Sequence, residues 1–149
     1  MTAALLDGYD AVLFDLDGVL YVGEHAVPGA AEAIAEVRRR GLATAYVTNN
    51  ASRTPQQVAE QLCGLGIPAE PGEVVTAAQA VAALIAAEVA PGSPVLTVGG
   101  EGLRAALREH GLVPVGSLEE HPVAVVQGFA PQVDWSMLAE ATYGIRAGL

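Results

Sequence analysis

Short apolar runs ending in turn residues alternate with helical periodicity along the whole sequence, and this alternation restricts the fold more than any other feature. Residues 11–14 are apolar and run into acidic residues. Pro28 and Gly29 then open a stretch with Ala30, Ala33, Ile34 and Val37 on one helical face. Gly41 stops it, and Arg38, Arg39 and Arg40 sit where the helix dipole is negative. Residues 43–47 read as the next strand. Thr54-Pro55-Gln56-Gln57 is a helix start: a capping Thr, Pro at the first helical position, Gln three residues after the cap. Val58, Leu62 and Leu65 follow on one face, and Gly64 and Gly66 end that helix. After a short strand at 74–75, Thr76 and Gln79 repeat the capping pattern, and Val81, Leu84 and Ile85 carry a helix to the Pro91-Gly92 break.

A second series follows: a strand at 95–98, a helix at 103–109, strands at 112–115 and 123–126, and a last helix capped by Asp134 with Leu138, Ala141 and Ile145 on one face. Strands alternating with helices predict an α/β fold on a parallel sheet covered on both sides. The best internal seam, near residues 90–94, predicts units over 1–90 and 91–149.

Composition removes several function classes. The chain has 149 residues, 52% hydrophobic and 16% charged, which is a globular balance. Its formal net charge is −10, with seven Arg and no Lys. Neither a nucleic-acid backbone nor an anionic membrane would find a basic stripe, so both are excluded as partners. An anionic substrate would need a metal ion, backbone N–H groups or a few local arginines to attract it. A single cysteine, Cys63, excludes a disulfide framework and a Cys-rich metal site. The N-terminus lacks a basic region followed by an apolar stretch, and the most apolar segment, 74–90, is interrupted by Gln79 and Glu88. A soluble cytoplasmic protein is expected.

The sharpest motif is Phe14-Asp15-Leu16-Asp17-Gly18-Val19-Leu20-Tyr21. Two carboxylates stand two residues apart where a strand ends, and in open parallel sheets ligands bind outside the carboxyl ends of the strands. In extended chain, that spacing points both side chains the same way. Gly18 lets the backbone approach a ligand and offer its N–H. One carboxylate can attack phosphorus while Mg²⁺ offsets the repulsion between anions, and the other can act as acid and then base. An EF-hand loop fails, because Val19 and Leu20 occupy its fifth and sixth positions. A solvated turn is the bland alternative. The second motif, Val47-Thr48-Asn49-Asn50 with Ser52 and Arg53, also follows a strand. A hydroxyl, two amides and a guanidinium can hold a phosphoryl oxygen without adding negative charge.

Together these motifs resemble the haloacid dehalogenase superfamily of phosphohydrolases. Asp-Leu-Asp-Gly-Val-Leu-Tyr, then Pro-Gly-Ala, then Val-Thr-Asn-Asn-Ala-Ser-Arg, is similar to the branch of 4-nitrophenyl phosphatase, phosphoglycolate phosphatase and pyridoxal phosphate phosphatase. Asn-Asn-Ala-Ser-Arg and Val-Val-Gln-Gly-Phe near 127 look closest to its actinobacterial glycerol-3-phosphate phosphatase-like members. The resemblance implies a Rossmann-like core carrying the start of an α/β cap, and hydrolysis of a small phosphorylated metabolite through an aspartyl-phosphate. It implies Asp15 as nucleophile and Mg²⁺ ligand, and Asp17 as acid/base and backbone-carbonyl ligand. Gly18, Thr48, Asn49, Asn50 and Arg53 are then the phosphate-binding candidates. Caps of this branch often mediate dimers, which leaves room for a homodimer.

The family pattern also needs a later Lys and a Gly-Asp motif. This chain has no Lys, and its only Asp beyond Asp17 is Asp134. The expectation is an N-terminal fragment, nearly inactive alone, whose first strand forms an apolar sheet edge prone to self-association.

Gly100-Glu101-Gly102-Leu103-Arg104-Ala105 matches a dinucleotide fingerprint, with Glu119 near the distance of a ribose-binding acid, but Glu101 would put a carboxylate at the pyrophosphate and Glu119 does not end a strand, so a tight strand-to-helix turn is preferred. A phosphoacceptor signalling domain would place its acceptor Asp on a middle strand, where this chain has Thr48-Asn49. A noncatalytic binding or assembly module derived from such an enzyme is the remaining alternative.

Overall fold

The β-branched and aromatic residues of the first run form a strand because they pack on a pleated sheet. In the structure, a computed structural model describing residues 5–149, that strand is β1 (Ala11–Asp15). The first four residues of the expected 1–90 unit lie outside the described residues. A small antiparallel hairpin, β2 (Tyr21–Val22) and β3 (His25–Ala26), precedes α1 (Ala30–Arg39). Then come β4 (Ala43–Thr48), α2 (Pro55–Gly64) and β5 (Val74–Thr76). The sheet order is β1-β4-β5, with β1 and β4 parallel from Ala11↔Ala43 to Asp15↔Val47.

The chain divides into two compact units. One comprises the chain up to Thr48 together with Gln56–Val75; the other comprises Asn49–Pro55 and Thr76–Leu149. In the first, Tyr46, Leu16, Ile34, Leu62 and Ile67 are fully buried in one core with Val58 and Ala59. Both α1 and α2 therefore cover the Phe14–Tyr46 face of the sheet. Strand order explains this: successive right-handed crossovers stepping in one direction put their helices on the same side. The opposite face is open, with Leu13 70% exposed and Val47 and Val75 also exposed. Two-sided cover, expected from the alternation, is thus absent from this sheet among the described residues, and β1 lies at its edge.

A polar network ties α1 to β4 and to the 3₁₀ turn Pro71–Glu73 before β5. The Arg38 guanidinium donates to both Glu73 carboxylate oxygens at 2.7 and 2.9 Å and to the Thr44 hydroxyl at 3.2 Å. The Tyr46 hydroxyl donates to the Pro68 carbonyl at 3.0 Å. Burial pushes the Tyr46 phenol up. Burial pushes Glu73 up as well, but the Glu70 N–H, the Thr44 hydroxyl and Arg38 outweigh it and hold the carboxyl below its usual range.

The second unit contains α3 (Ala77–Glu88), β6 (Pro94–Val98), α4 (Glu101–Glu109), β7 (Val113–Val115), β8 (Ala124–Gln127) and α5 (Trp135–Ala147). Its parallel sheet has the order β7-β6-β8. Central β6 alternates: Val95 packs with Leu103, Leu107, Ala78 and Ala82 of α4 and α3, and Leu96 and Val98 pack with Ala141 and Leu138 of α5. The Thr76–Gln79 capping box forms as read, and Asp134 caps α5 by accepting from the Met137 N–H at 3.0 Å. Residues 90–94, read from sequence as a seam, join α3 to β6 inside this unit, where the Pro91-Gly92 break ends a helix. No helix of the described residues is long and apolar enough to cross a membrane.

Candidate active site

The strand end fixes the first motif. Leu16 is fully buried, and the exposed Asp15 and Asp17 flank it. The loop closes tightly beneath them. The Leu16 carbonyl accepts the N–H groups of Val19, Leu20 and Tyr21 at 3.2, 2.9 and 3.3 Å. The Gly18 N–H donates to the Tyr21 carbonyl at 2.8 Å. This differs from the sequence expectation that Gly18 offers its N–H to a ligand: that donor is committed within the turn. What Gly18 supplies is its φ of 81°, a conformation that L side chains resist. One Asp15 oxygen accepts from the Leu16 N–H at 2.8 Å. Because Asp15 pairs with Val47, buried Thr48 stands one residue further along the neighbouring strand.

The oxygen donors of this loop suit a hard cation. Mg²⁺ is commonly held through one or two carboxylates, with waters and substrate phosphate completing the octahedron. Asp15 and Asp17 provide two carboxylates. The bonds that bracket Asp17 use the Gly18 N–H and the Leu16 carbonyl, so they do not engage its own carbonyl. Among the described residues, no group of three or more His, Cys, Asp or Glu side chains could hold a metal ion. Protein ligands here would supply only part of the coordination.

Asn49, Asn50 and Arg53 belong to the second unit. Asn49 and Arg53 are exposed, and the Asn50 side-chain oxygen accepts from both the Ser52 N–H at 2.8 Å and the Ser52 hydroxyl at 2.7 Å. The Ser52 carbonyl accepts the Gly102 N–H at 3.2 Å. This contact uses a first-turn donor of α4, which a dinucleotide pyrophosphate would need. The Gly100-Glu101-Gly102 turn thus serves packing, as the sequence reading preferred. A cavity of about 420 Å³ opens beyond β8, lined by Gln127, Gly128, Phe129, Ala130, Val133 and Leu138. Sequence reasoning missed this cavity, and also the contact between 51–53 and the glycines. A helical glycine with no conformational need, Gly102, was the available signal for the contact.

Fold and loop together define an α/β protein of Rossmann-like type with a carboxylate pair at the end of its first strand. The haloacid dehalogenase-like hydrolase family matches residues 12–113, and the chain belongs to that family. It is 46% identical over 140 residues to D-glycerol 3-phosphate phosphatase of Mycobacterium tuberculosis, covering 94% of this chain and 39% of that protein. It is 45% identical to an acid sugar phosphatase of Staphylococcus aureus, covering 94% and 53%. A crystal structure of glycerol phosphate phosphatase from M. tuberculosis with magnesium superposes with a TM-score of 0.89 at 45% identity, covering 94% of this chain and 42% of that one. The chain therefore spans roughly two-fifths to one-half of the length of these proteins.

Proposed function

We propose that this chain supplies the nucleophile-bearing part of a Mg²⁺-dependent phosphomonoester hydrolase acting on a small phosphorylated metabolite. The observation that carries the reading is the exposed Asp15–Asp17 pair flanking buried Leu16 at the carboxyl end of β1. In this reading the Asp15 carboxylate attacks phosphorus, and the bond to the leaving alkoxide oxygen breaks. The Asp17 carboxylic acid donates its proton to that oxygen. Asp17 then takes a proton from water as the water oxygen attacks the aspartyl-phosphate at phosphorus, releasing phosphate and restoring Asp15. Thr48 and Asn49 hold phosphoryl oxygens, with Asn50 and Arg53 adding an amide and a cation. Asp15 and the Asp17 carbonyl would hold Mg²⁺, whose charge when bound reduces repulsion between the attacking carboxylate and the phosphate.

The names of the similar proteins support a short polyol or sugar phosphate as substrate. Residues 91–149 read as the start of a cap that would support a homodimer, and residues 1–90 as the nucleophile-bearing part of the core. An unpaired Cys63 fits a reducing, cytoplasmic setting.

The test joins residues 1–149 to the remaining portion of the M. tuberculosis relative. The fused protein should hydrolyse glycerol phosphate with Mg²⁺, and Asp15→Asn should abolish turnover. Asp17→Asn should slow an alkyl phosphate by ~10²–10⁴-fold and an activated aryl phosphate less. Hydrolysis by Asp15→Asn at a near wild-type rate sinks the assignment.

A further inference from the structure

Gly102 lies in the first turn of α4 with ordinary helical geometry, where Ala would be favoured by about 1 kcal/mol. Its missing side chain has a steric cause. A methyl group at Gly102 would stand 2.5, 2.6 and 2.7 Å from the carbonyl oxygen, carbonyl carbon and nitrogen of Arg53. All three are backbone atoms, which cannot swing aside as a side chain can. A second glycine, Gly128, crowds the same short segment. A methyl at Gly128 would lie 3.0 Å from the Ala51 Cβ and 3.3 Å from the Leu103 Cδ2, whereas one at Gly100 would crowd the Ala130 Cβ at 3.0 Å and meet the Ser52 carbonyl only in ordinary contact at 3.4 Å. Ala51 and Arg53 are thus crowded by two different glycines, Gly128 and Gly102. The Asn50 side chain is bound to the Ser52 N–H and hydroxyl, so displacement of this backbone would carry the Asn50 amide with it.

We infer that Gly102 and Gly128 are positioning residues that set the course of residues 51–53, and through it the phosphoryl affinity of the turn at 49–53. The inference rests on the reading of that turn as phosphoryl-binding. It assigns to two glycines, about 50 and 75 residues downstream, control over a motif they do not belong to. Misplacement of a binding group by about 1 Å is enough to matter at this level.

The experiment compares wild type, Gly102→Ala, Gly128→Ala, Ala51→Gly and the Ala51→Gly/Gly128→Ala double variant. Each is made in the fused protein described above and titrated with inorganic phosphate in Mg²⁺ buffer, with backbone amide spectra of 49–53 and thermal melts recorded in parallel. Gly102→Ala should weaken phosphate binding by about tenfold or more, with amide shifts centred on 51–53. Gly128→Ala should do so less, and the double variant should recover, because moving the methyl across the contact restores the space. Unshifted amides with wild-type affinity in Gly102→Ala overturn the inference, as does a double variant no better than the sum of its singles. If Gly102→Ala does not fold, the Ala51–Gly128 cycle decides. A wild type that binds no phosphate overturns the phosphoryl reading of the turn. The amide spectra then decide the positional claim: shifts in Gly102→Ala that the double variant lacks support it, and unshifted amides overturn it.

Discussion

Replacing Glu73 by Gln tests how β4, whose end carries Thr48, is held in register. Four hydrogen bonds converge on this carboxylate: the Arg38 Nη2 to both oxygens at 2.7 and 2.9 Å, the Thr44 hydroxyl at 3.0 Å and the Glu70 N–H at 2.9 Å. A Gln amide keeps one acceptor oxygen and sets its NH₂ against a donor in either orientation. Hydrogen bonds to charged groups contribute about 1.5–3 kcal/mol each when well buried. The Arg38 and Glu73 side chains are 32% and 28% exposed, so solvent screening reduces the total. A net loss of about 2 kcal/mol is expected, lowering Tm by about 4–8 °C.

The pH dependence carries a sign. The folded Glu73 carboxyl lies below its ordinary value of 4.5, so its contribution is complete above that pH and is lost as pH falls through the lower folded value. The stability gap between wild type and Glu73→Gln should be full near neutrality and close progressively below pH 4.5. Glu36, held down to about 2 by Arg39 and Arg40, and Asp134, held down by Ser136 and the Met137 N–H, titrate in both proteins and cancel in the difference. Urea melts across that range measure the gap. A gap that stays constant with pH, or equal stability near neutrality, refutes the reasoning.

Thr76→Ala should destabilise by about 1–2 kcal/mol in urea melts, because a buried cap that accepts the Gln79 N–H at 3.2 Å is lost. Leu62→Ala should cost about 2–5 kcal/mol in the same assay, since Leu62 is fully buried between α2 and the first sheet. Wild type should self-associate with rising concentration in light scattering through the open β1 edge, and Leu13→Lys should suppress this. A wild type that stays monomeric throughout would remove that edge as the cause.

The main elements were legible because their signals are local. The Thr76–Gln79 and Asp134 caps and the glycine stops mark helices within a residue or two of where they lie. The Asp15–Asp17 spacing was visible in the sequence, whereas the full burial of Leu16 between the two exposed acids is seen only in the folded chain. The β2–β3 hairpin escaped because two-residue strands have no readable period. The commitment of the Gly18 N–H to Tyr21 depends on how the loop folds back, which spacing does not encode. The contact of 51–53 with Gly102 and Gly128 joins residues far apart in the chain, and a glycine's need for space is visible only once its neighbour is placed.

The central claim is that Asp15 becomes covalently phosphorylated. Borohydride reduces an aspartyl-phosphate to homoserine, so the fused protein can be quenched during turnover of glycerol phosphate, reduced and mapped by peptide mass spectrometry. The account predicts homoserine at position 15, dependent on Mg²⁺ and absent from Asp15→Asn. Turnover with Asp15 unmodified, or with the trapped group at Asp17 or elsewhere, would contradict it.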